Sequence, residues 1–318
     1  MSSMPFASTD ISAISLPDFA LVRVSGDDAV SFLHGQLTND IAGLKENAAC
    51  FAGYCSPKGR LLATMMVWRS GPQQLHLLMK AGIARNVIQR LRMFVLRARV
   101  VFEPVDAPVY GAFLPAVPEH VPGQLVIVDG IACVRVPGRP DQPARGWLAG
   151  DYQGPVAPMP ESHWAALDIL AGLPWIEAAT QDLFIPQTVN LDLIGGVSFT
   201  KGCYPGQEVV ARAHYRGTVK RRMAYGHIAA PLPHGIDTGS LAGTDTYNAH
   251  RPDAPCGRVV NAVHIVPGSE APGVRTGLHL LMEVTLGDMN EADFRLLNAD
   301  GPEIRAVALP GGTAPDAA

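Results

Sequence analysis

The segment KGCYPGQEVVARAHYRG, residues 201–217, places a cysteine where a thiol can react. Cys203 follows Lys201 by two residues and precedes a run whose apolar residues recur at helical spacing. A neighbouring cation and the positive end of a helix dipole both favour the thiolate over the thiol. The residue types in this order therefore mark Cys203 as a candidate nucleophile.

Small residues and a proline shape the same segment. Gly202 and Gly206 leave backbone N–H groups open to close approach, and Pro205 suits the first turn of a helix. A carboxylate or a phosphate can dock on such N–H groups. Glu208 and Arg212 are four residues apart, so the spacing predicts that they pair on one helix face.

The stretch from residue 201 to residue 222 is basic, with six Lys or Arg residues against one acidic residue, whereas the whole chain has a net charge of −4. A local basic patch suits an anionic ligand, but the charge of the whole chain gives no reason to expect nucleic acid or a membrane as partner. The six basic residues are Lys201, Arg212, Arg216, Lys220, Arg221 and Arg222.

Each of these features also has a purely structural explanation. A lone cysteine is more often a small buried hydrophobic side chain than a nucleophile. A basic run at the start of a strand is usually solvated, and the Gly-Cys-Tyr-Pro-Gly cluster can be no more than a tight turn. The residues taken alone leave both explanations open.

Hydrophobic periodicity predicts the elements that must position this segment. Residues 83–100 predict the clearest helix, and residues 160–174 predict a second helix that stops at Gly172. The pair Asp129–Gly130 between two β-rich runs predicts a hairpin turn. After residue 217, apolar and β-branched runs separated by Pro and Gly indicate an all-β module, so the 318-residue chain as a whole is predicted to be α+β.

The five cysteines form no C-x-x-C pair, and their odd number favours a reduced, cytoplasmic protein. The first residues lack the basic start and apolar core of a signal peptide, and no apolar run is long enough to span a membrane. Cys50 and Cys55 are five residues apart without a second pair at zinc-site spacing, so we expect no metal site.

In its sequence motifs the chain resembles the bacterial YgfZ family of folate-binding proteins. These proteins are relatives of the glycine-cleavage T-protein, which is an aminomethyltransferase. The resemblance is carried by GGVSFTKGCYPGQEVVAR, by the preceding stretch from residue 170 to residue 199, and by FLHGQLTNDIAGL and CSPKGRLLATMMVW nearer the front. It spans roughly residues 18–222.

The resemblance implies a multi-module, T-protein-like fold around a central opening that takes tetrahydrofolate or a one-carbon derivative. Residues 1–218 would form the folate-binding region, with a middle module inserted at about 47–137, and residues 219–318 a C-terminal β-barrel. It also implies a part in the assembly or maintenance of iron–sulfur client enzymes, including tRNA-modifying ones. We expect a monomer without direct contact to nucleic acid.

Carried over by position, the resemblance implies that Cys203 is the key thiol. The residues it implies for cofactor binding are Thr38, Asn39, Asp40, Lys201, Gly202, Tyr204, Gly206, Gln207, Glu208 and Arg212.

One departure from the T-protein pattern bears on the reaction. The block that resembles Gly-Gly-Ile-Ile-Asp-Asp in the aminomethyltransferases is here GRLLAT, so Ala63 and Thr64 stand in the two aspartate places. Neither side chain can hold a negative charge beside a developing cation. Aminomethyltransferase activity is therefore not expected, although an enzyme that uses Asp40 instead, and a folate-binding scaffold without chemistry, remain alternatives.

Overall fold

The computed structural model describes residues 11–115, 123–128, 130–136, 144–215, 219–229, 231–232, 235–268, 273–289 and 292–309. Within these residues the chain forms sixteen strands and four α-helices. The strands are β1 Ser12–Ser15, β2 Phe19–Ser25, β3 Ala49–Cys55, β4 Leu61–Gly71, β5 Gln74–Lys80, β6 Val101–Val105, β7 Val109–Phe113, β8 Leu125–Val128, β9 Ile131–Arg135, β10 Arg145–Ala149, β11 Arg221–Ala229, β12 Asp245–Asn248, β13 Arg251–Ile265, β14 Gly277–Thr285, β15 Phe294–Leu296 and β16 Arg305–Ala308. The helices are α1 Ala29–His34, α2 Ala81–Arg92, α3 Glu161–Leu170 and α4 Gln207–Tyr215.

The strands form three antiparallel sheets. Their orders are β3-β4-β5-β2-β6, β1-β7-β10-β9-β8 and β15-β12-β13-β14-β11-β16. Antiparallel sheets with few helices match the predicted mixed class, and the strands after residue 217 match the predicted all-β module. Closure of the third sheet into a barrel, the central opening and the module boundaries stay predictions.

A cluster of aromatic rings joins elements from different sheets. Trp175 packs edge-on against Phe19 of β2, with ring centroids 4.8 Å apart, and against Trp147 of β10 at 5.5 Å. Phe51 of β3 lies 5.9 Å from Trp147, and Trp164 of α3 lies 6.5 Å from it. Edge-to-face packing at these separations is favourable for aromatic rings, so this cluster fixes the first two sheets against α3.

The helix predicted over residues 83–100 is confirmed with one correction. Helix α2 ends at Arg92, eight residues before the predicted end. The backbone of Arg99 instead pairs with Asp28, whose N–H donates to the Arg99 carbonyl and whose carboxylate accepts the Arg99 N–H at 2.8 Å. These long-range bonds hold the last part of the run as an irregular link into β6, which local periodicity does not reveal.

The second helix and the hairpin agree with prediction. Helix α3 ends at Leu170, and Gly172 follows with a φ of 71°, the left-handed geometry common after a helix. Strands β8 and β9 pair across the predicted turn, where Gly130 has a φ of 84° and Asp129 lies outside the described residues. None of the helices in the described ranges is long and apolar enough to span a bilayer.

A largely buried segment, residues 186–196, begins with a 3-10 helix at Pro186–Val189 and connects α4, the third sheet and the front of the chain. The Gln187 side-chain amide donates to the Val210 carbonyl in α4 at 2.7 Å. The Asn190 side chain bonds both backbone groups of Met223 in β11. It donates to the Met223 carbonyl at 2.9 Å and accepts the Met223 N–H at 3.2 Å. Both side chains are buried, so these bonds replace those that water would otherwise make with the backbone.

We expect Asn190→Gly to lower the free energy of unfolding by about 1–3 kcal/mol, because it leaves the N–H and carbonyl of Met223 buried without partners. Asn190 has a φ of 56°, which glycine adopts without strain, so the loss beyond the unfolded-state entropy that any glycine adds reports the hydrogen bonds. The matched control is Asn47→Gly, at an exposed residue with a φ of 60°. Equal losses for the two variants in urea unfolding would contradict this role.

Candidate functional site

Lys201 anchors the cysteine-bearing segment to the end of α1. Its ammonium donates to the carbonyls of His34 and Leu37, the latter at 2.7 Å. The last carbonyls of a helix lack partners within the helix, and a cation satisfies them with favourable charge. Lys201 also lies over the Tyr204 ring, 4.8 Å from its centroid. Contacts of Lys201 with α1 and with Tyr204 therefore hold the backbone on both sides of Cys203.

Burial lowers the pKa of Lys201 to about 8, while Asp40 and Cys203 act in the opposite direction. The sign follows from desolvation, which disfavours the charged form of a lysine more than the two neighbours stabilise it. Below pH 8 the ammonium is present beside Cys203, and above it this charge is lost.

Cys203 differs from the other four cysteines in exposure. It is the exposed one, whereas Cys55, Cys133 and Cys256 are buried and Cys50 is half-buried. Burial raises the pKa of Cys50, Cys55 and Cys133 to about 12, and it raises that of Cys256 as well. Only the thiolate is a strong nucleophile, so these four are chemically quiet.

Two glycines bring the segment against the turn before β4. Gly206 has a φ of 81°, and a Cβ there would lie 2.6 Å from the Gly59 Cα. Gly59 has a φ of 71°, and a Cβ there would lie 2.6 Å from the Val209 Cβ. Only glycine fits at both positions. The two blocks CSPKGR and KGCYPGQE therefore contact each other directly.

The loop formed by Thr38, Asn39 and Asp40 lies beside the same region. The buried Thr38 hydroxyl donates to the Gly196 carbonyl at 2.6 Å, and the Asn39 amide donates to the Gly195 carbonyl at 2.7 Å. The carboxylate of Asp40 lies 3.1 Å from His34 Nδ1. Thr38 and Asn39 therefore hold the backbone at Gly195 and Gly196 in place. Asp40 lies near enough to Lys201 to act on it electrostatically.

The two positions that lack aspartate are both fully buried. Ala63 packs in the core of the first sheet. The Thr64 hydroxyl donates to the Pro174 carbonyl at 2.7 Å and accepts the Ile176 N–H at 2.9 Å. Thr64 therefore ties β4 to the segment after α3, and its hydrogen-bonding capacity is used within the fold.

The structure neutralises part of the predicted basic patch. Arg222 pairs with Asp192 at 2.7 Å, and Arg221 pairs with Glu283 at 3.1 Å. Arg216 lies outside the described residues. Among the described ion pairs, none joins Glu208 to Arg212, although both side chains are exposed on α4. The patch is therefore less charged than the sequence suggests, and the predicted pair on α4 is absent.

A cavity of about 320 Å³ lies where α3, the first sheet and the third sheet meet. Its lining includes none of the residues implied for cofactor binding and not Cys203. It carries four carboxylates, one lysine and two tryptophans among its lining residues. These are Asp18, Glu161, Asp168, Glu177, Lys80, Trp164 and Trp175. A concave site of this size with a few polar groups among apolar walls is typical of a small-molecule site.

The polar groups of this cavity differ in how far they are already satisfied. Asp168 is paired with the buried Arg145 and accepts from Trp175 Nε1 at 2.9 Å. In contrast, Glu161 Oε1 and Trp164 Nε1 are buried atoms without a hydrogen-bond partner among the described residues. Burial raises the pKa of Glu161 and of Glu177. One acceptor and one donor on residues that line this cavity are therefore unsatisfied by the described protein.

Sequence reasoning missed this cavity because its lining comes from distant parts of the chain. The available signal was Asp168, a carboxylate within the apolar second half of this helix, together with Glu161 at its start. Carboxylates among apolar residues indicate a polar site. Which other residues line that site is decided only when the chain packs. In the described ranges no group of three or more His, Cys, Asp or Glu side chains is arranged to hold a metal ion.

Several known proteins are similar in sequence to this chain. The chain is 33% identical over 240 residues to the tRNA-modifying protein YgfZ of Yersinia pestis, covering 69% of this chain and 72% of that protein. It is 31% identical over 240 residues to YgfZ of Hamiltonella defensa, covering 70% and 71%. An uncharacterized protein of Haemophilus influenzae is 35% identical over 212 residues, covering 66% and 71%. No family model matches the chain.

The fold has a solved counterpart. The crystal structure of aminomethyltransferase T of the glycine cleavage system from Bartonella henselae superposes with a TM-score of 0.67. The match covers 96% of this chain and 89% of that one at 16% sequence identity. The chain therefore has a fold similar to that of the T-protein, and at this identity the likeness concerns the fold alone.

We expect a thiol reagent such as Ellman's reagent to modify one cysteine per native chain quickly near neutral pH. The reason is that Cys203 is exposed, whereas the other thiols are covered and have raised pKa values. Cys203→Ser should remove the fast phase, and unfolding should release all five thiols of the wild type. A fast phase that persists in the serine variant would refute this assignment.

Proposed function

Because the chain belongs to the YgfZ family, we propose that it is a tetrahydrofolate-binding accessory protein for iron–sulfur enzymes, tRNA-modifying ones included, with Cys203 as its working thiol. The observation that carries this proposal is the exposure of Cys203 in a turn that Lys201 and two glycines hold in place. A thiol at the surface can meet a group held by a client protein, whereas a buried thiol cannot.

The folate site that we propose is the cavity beside α3. The pterin ring of a folate presents N–H donors, which suit the unpartnered Glu161 oxygen, and acceptors, which suit the Trp164 N–H. Trp164 and Trp175 contribute apolar surface to the wall that the rings would contact. The glutamate end of a folate is anionic, and Lys80 is the cation of this lining.

A working aminomethyltransferase is the weaker candidate. Its support is the T-protein-like fold, but Ala63 and Thr64 offer no carboxylate, and the Thr64 hydroxyl is fully engaged. Asp40, the substitute suggested by the sequence, is not among the lining residues of the cavity and accepts the Gly43 N–H at 2.9 Å. The fold without the acidic catalyst favours binding over transfer.

Titration with tetrahydrofolate should quench tryptophan fluorescence saturably, because two tryptophans line the cavity. Glu161→Gln should weaken binding about tenfold or more, since it replaces a charged acceptor with a neutral one. Glu208→Gln, on α4, is the matched control and should bind normally. If the control loses affinity and Glu161→Gln does not, folate binds at the cysteine-bearing segment instead.

Cys203→Ser should fail to restore iron–sulfur enzyme activity in a strain that lacks this protein, while its melting temperature and folate affinity stay unchanged. Cys256→Ser serves as the control, because that thiol is buried in β13. Full restoration by the Cys203 variant would exclude the thiol and leave a folate-binding scaffold. Turnover with methylene-tetrahydrofolate, ammonia and a lipoyl carrier would favour the transferase instead.

A further inference from the structure

A second cavity, of about 430 Å³, lies on the third sheet at the β16 edge. Its lining comes from β11, from β16 and from the loop before β14. It contains two guanidinium groups, those of Arg275 and Arg305, and no carboxylate among the described residues that line it. In a chain with net charge −4, an open surface cavity with this composition is a local positive region that attracts anions.

The strand register explains why cationic and imidazole groups meet here. His227 of β11 stands opposite His279 of β14 on one side and opposite Arg305 of β16 on the other. Side chains of directly opposite residues lie on the same face of a sheet. The three therefore form one row across three strands, and Arg305 lies at its open end because β16 is an edge strand.

The histidines of this row hold the loop that carries Arg275. His279 uses both ring nitrogens, one with the Tyr225 hydroxyl at 2.9 Å and one with the Arg275 carbonyl at 2.8 Å. His227 Nε2 bonds the Thr276 carbonyl at 3.0 Å. The backbone of both loop residues is thus tied to the sheet, so Arg275 is presented from a fixed base rather than from a free loop.

The positive charge of the cavity belongs to the arginines. The pKa of His279 is lowered to about 4, mainly by burial, with contributions from His227 and the Arg275 charge that outweigh the opposing hydrogen bond to the Arg275 carbonyl. The pKa of His227 is also lowered, first by burial, and both Arg275 and Arg305 contribute to the lowering. An imidazole near two guanidinium groups avoids a third positive charge. Arg275 and Arg305 therefore act on the same small volume.

Neither arginine is neutralised by a described carboxylate, since none lies within 4.0 Å of either guanidinium. The contrast on the same face is Arg221, which pairs with Glu283 at 3.1 Å. Glu283 is four residues along β14 from His279, about 13 Å away. Two unpaired guanidinium groups at one cavity leave their fork-shaped donors available to a ligand.

We propose that this cavity binds a phosphate monoester group carried by a small molecule. The two guanidinium charges match a phosphate dianion, whereas a carboxylate would balance only one of them. Ala229 and Val307 add apolar surface to the lining, and Val307 is 58% exposed, so the organic body of the ligand has a surface to contact. This site uses none of the residues of the proposed folate site.

The test is a titration with inorganic phosphate at constant ionic strength, followed by calorimetry or by ³¹P line broadening. Wild-type protein should bind phosphate saturably. Arg275→Gln and Arg305→Gln should each weaken binding about tenfold or more, because each removes charge-assisted hydrogen bonds. Both side chains are exposed, so the variants should keep the wild-type melting temperature.

Two controls show whether binding is specific to this cavity and to phosphate. Arg221→Gln removes a cation of the same sheet face that is already paired, and it should leave phosphate affinity unchanged. Acetate, a monoanionic carboxylate, should bind much more weakly than phosphate. The proposal fails if phosphate binding is not saturable, if both arginine variants bind like wild type, or if acetate competes equally.

Discussion

Hydrogen bonds between side chains and buried backbone, centred on residues 186–196, hold distant parts of the chain together. Buried peptide groups need partners, and Gln187 and Asn190 supply them for Val210 of α4 and Met223 of β11. Gln187 reaches α4, Asn190 reaches β11, and Thr38 reaches in from the front of the chain. Three distant parts of the sequence are thereby held to one segment.

The exposure of Cys203 follows from this constraint. Helix α4 is held by Gln187 and by the contact between Gly59 and Gly206. The turn before α4, which carries Cys203, therefore stays at the surface. Lys201 then anchors the start of the turn on the carbonyls of α1. The same lysine that supplies a cation near the thiol is thus also a structural residue, and its lowered pKa reflects this partial burial.

The thiol and the cavity beside α3 are separate features of the surface described here. The thiol lies on the segment whose sequence is most specific, whereas the cavity is lined by residues that no local motif identifies. The absence of a carboxylate at positions 63 and 64 agrees with this separation, because Thr64 now supports the wall of the fold rather than a reacting group.

Local spacing and turn chemistry are enough to predict the mixed α and β class, helices α3 and α4 and the hairpin at Gly130. Packing set the remaining features. It tied Arg99, beyond the end of α2, to Asp28, paired Arg222 with Asp192, and assembled the cavity beside α3 from remote elements. These outcomes depend on which surfaces meet when the chain packs, and residue spacing carries no information about partners far away in the sequence.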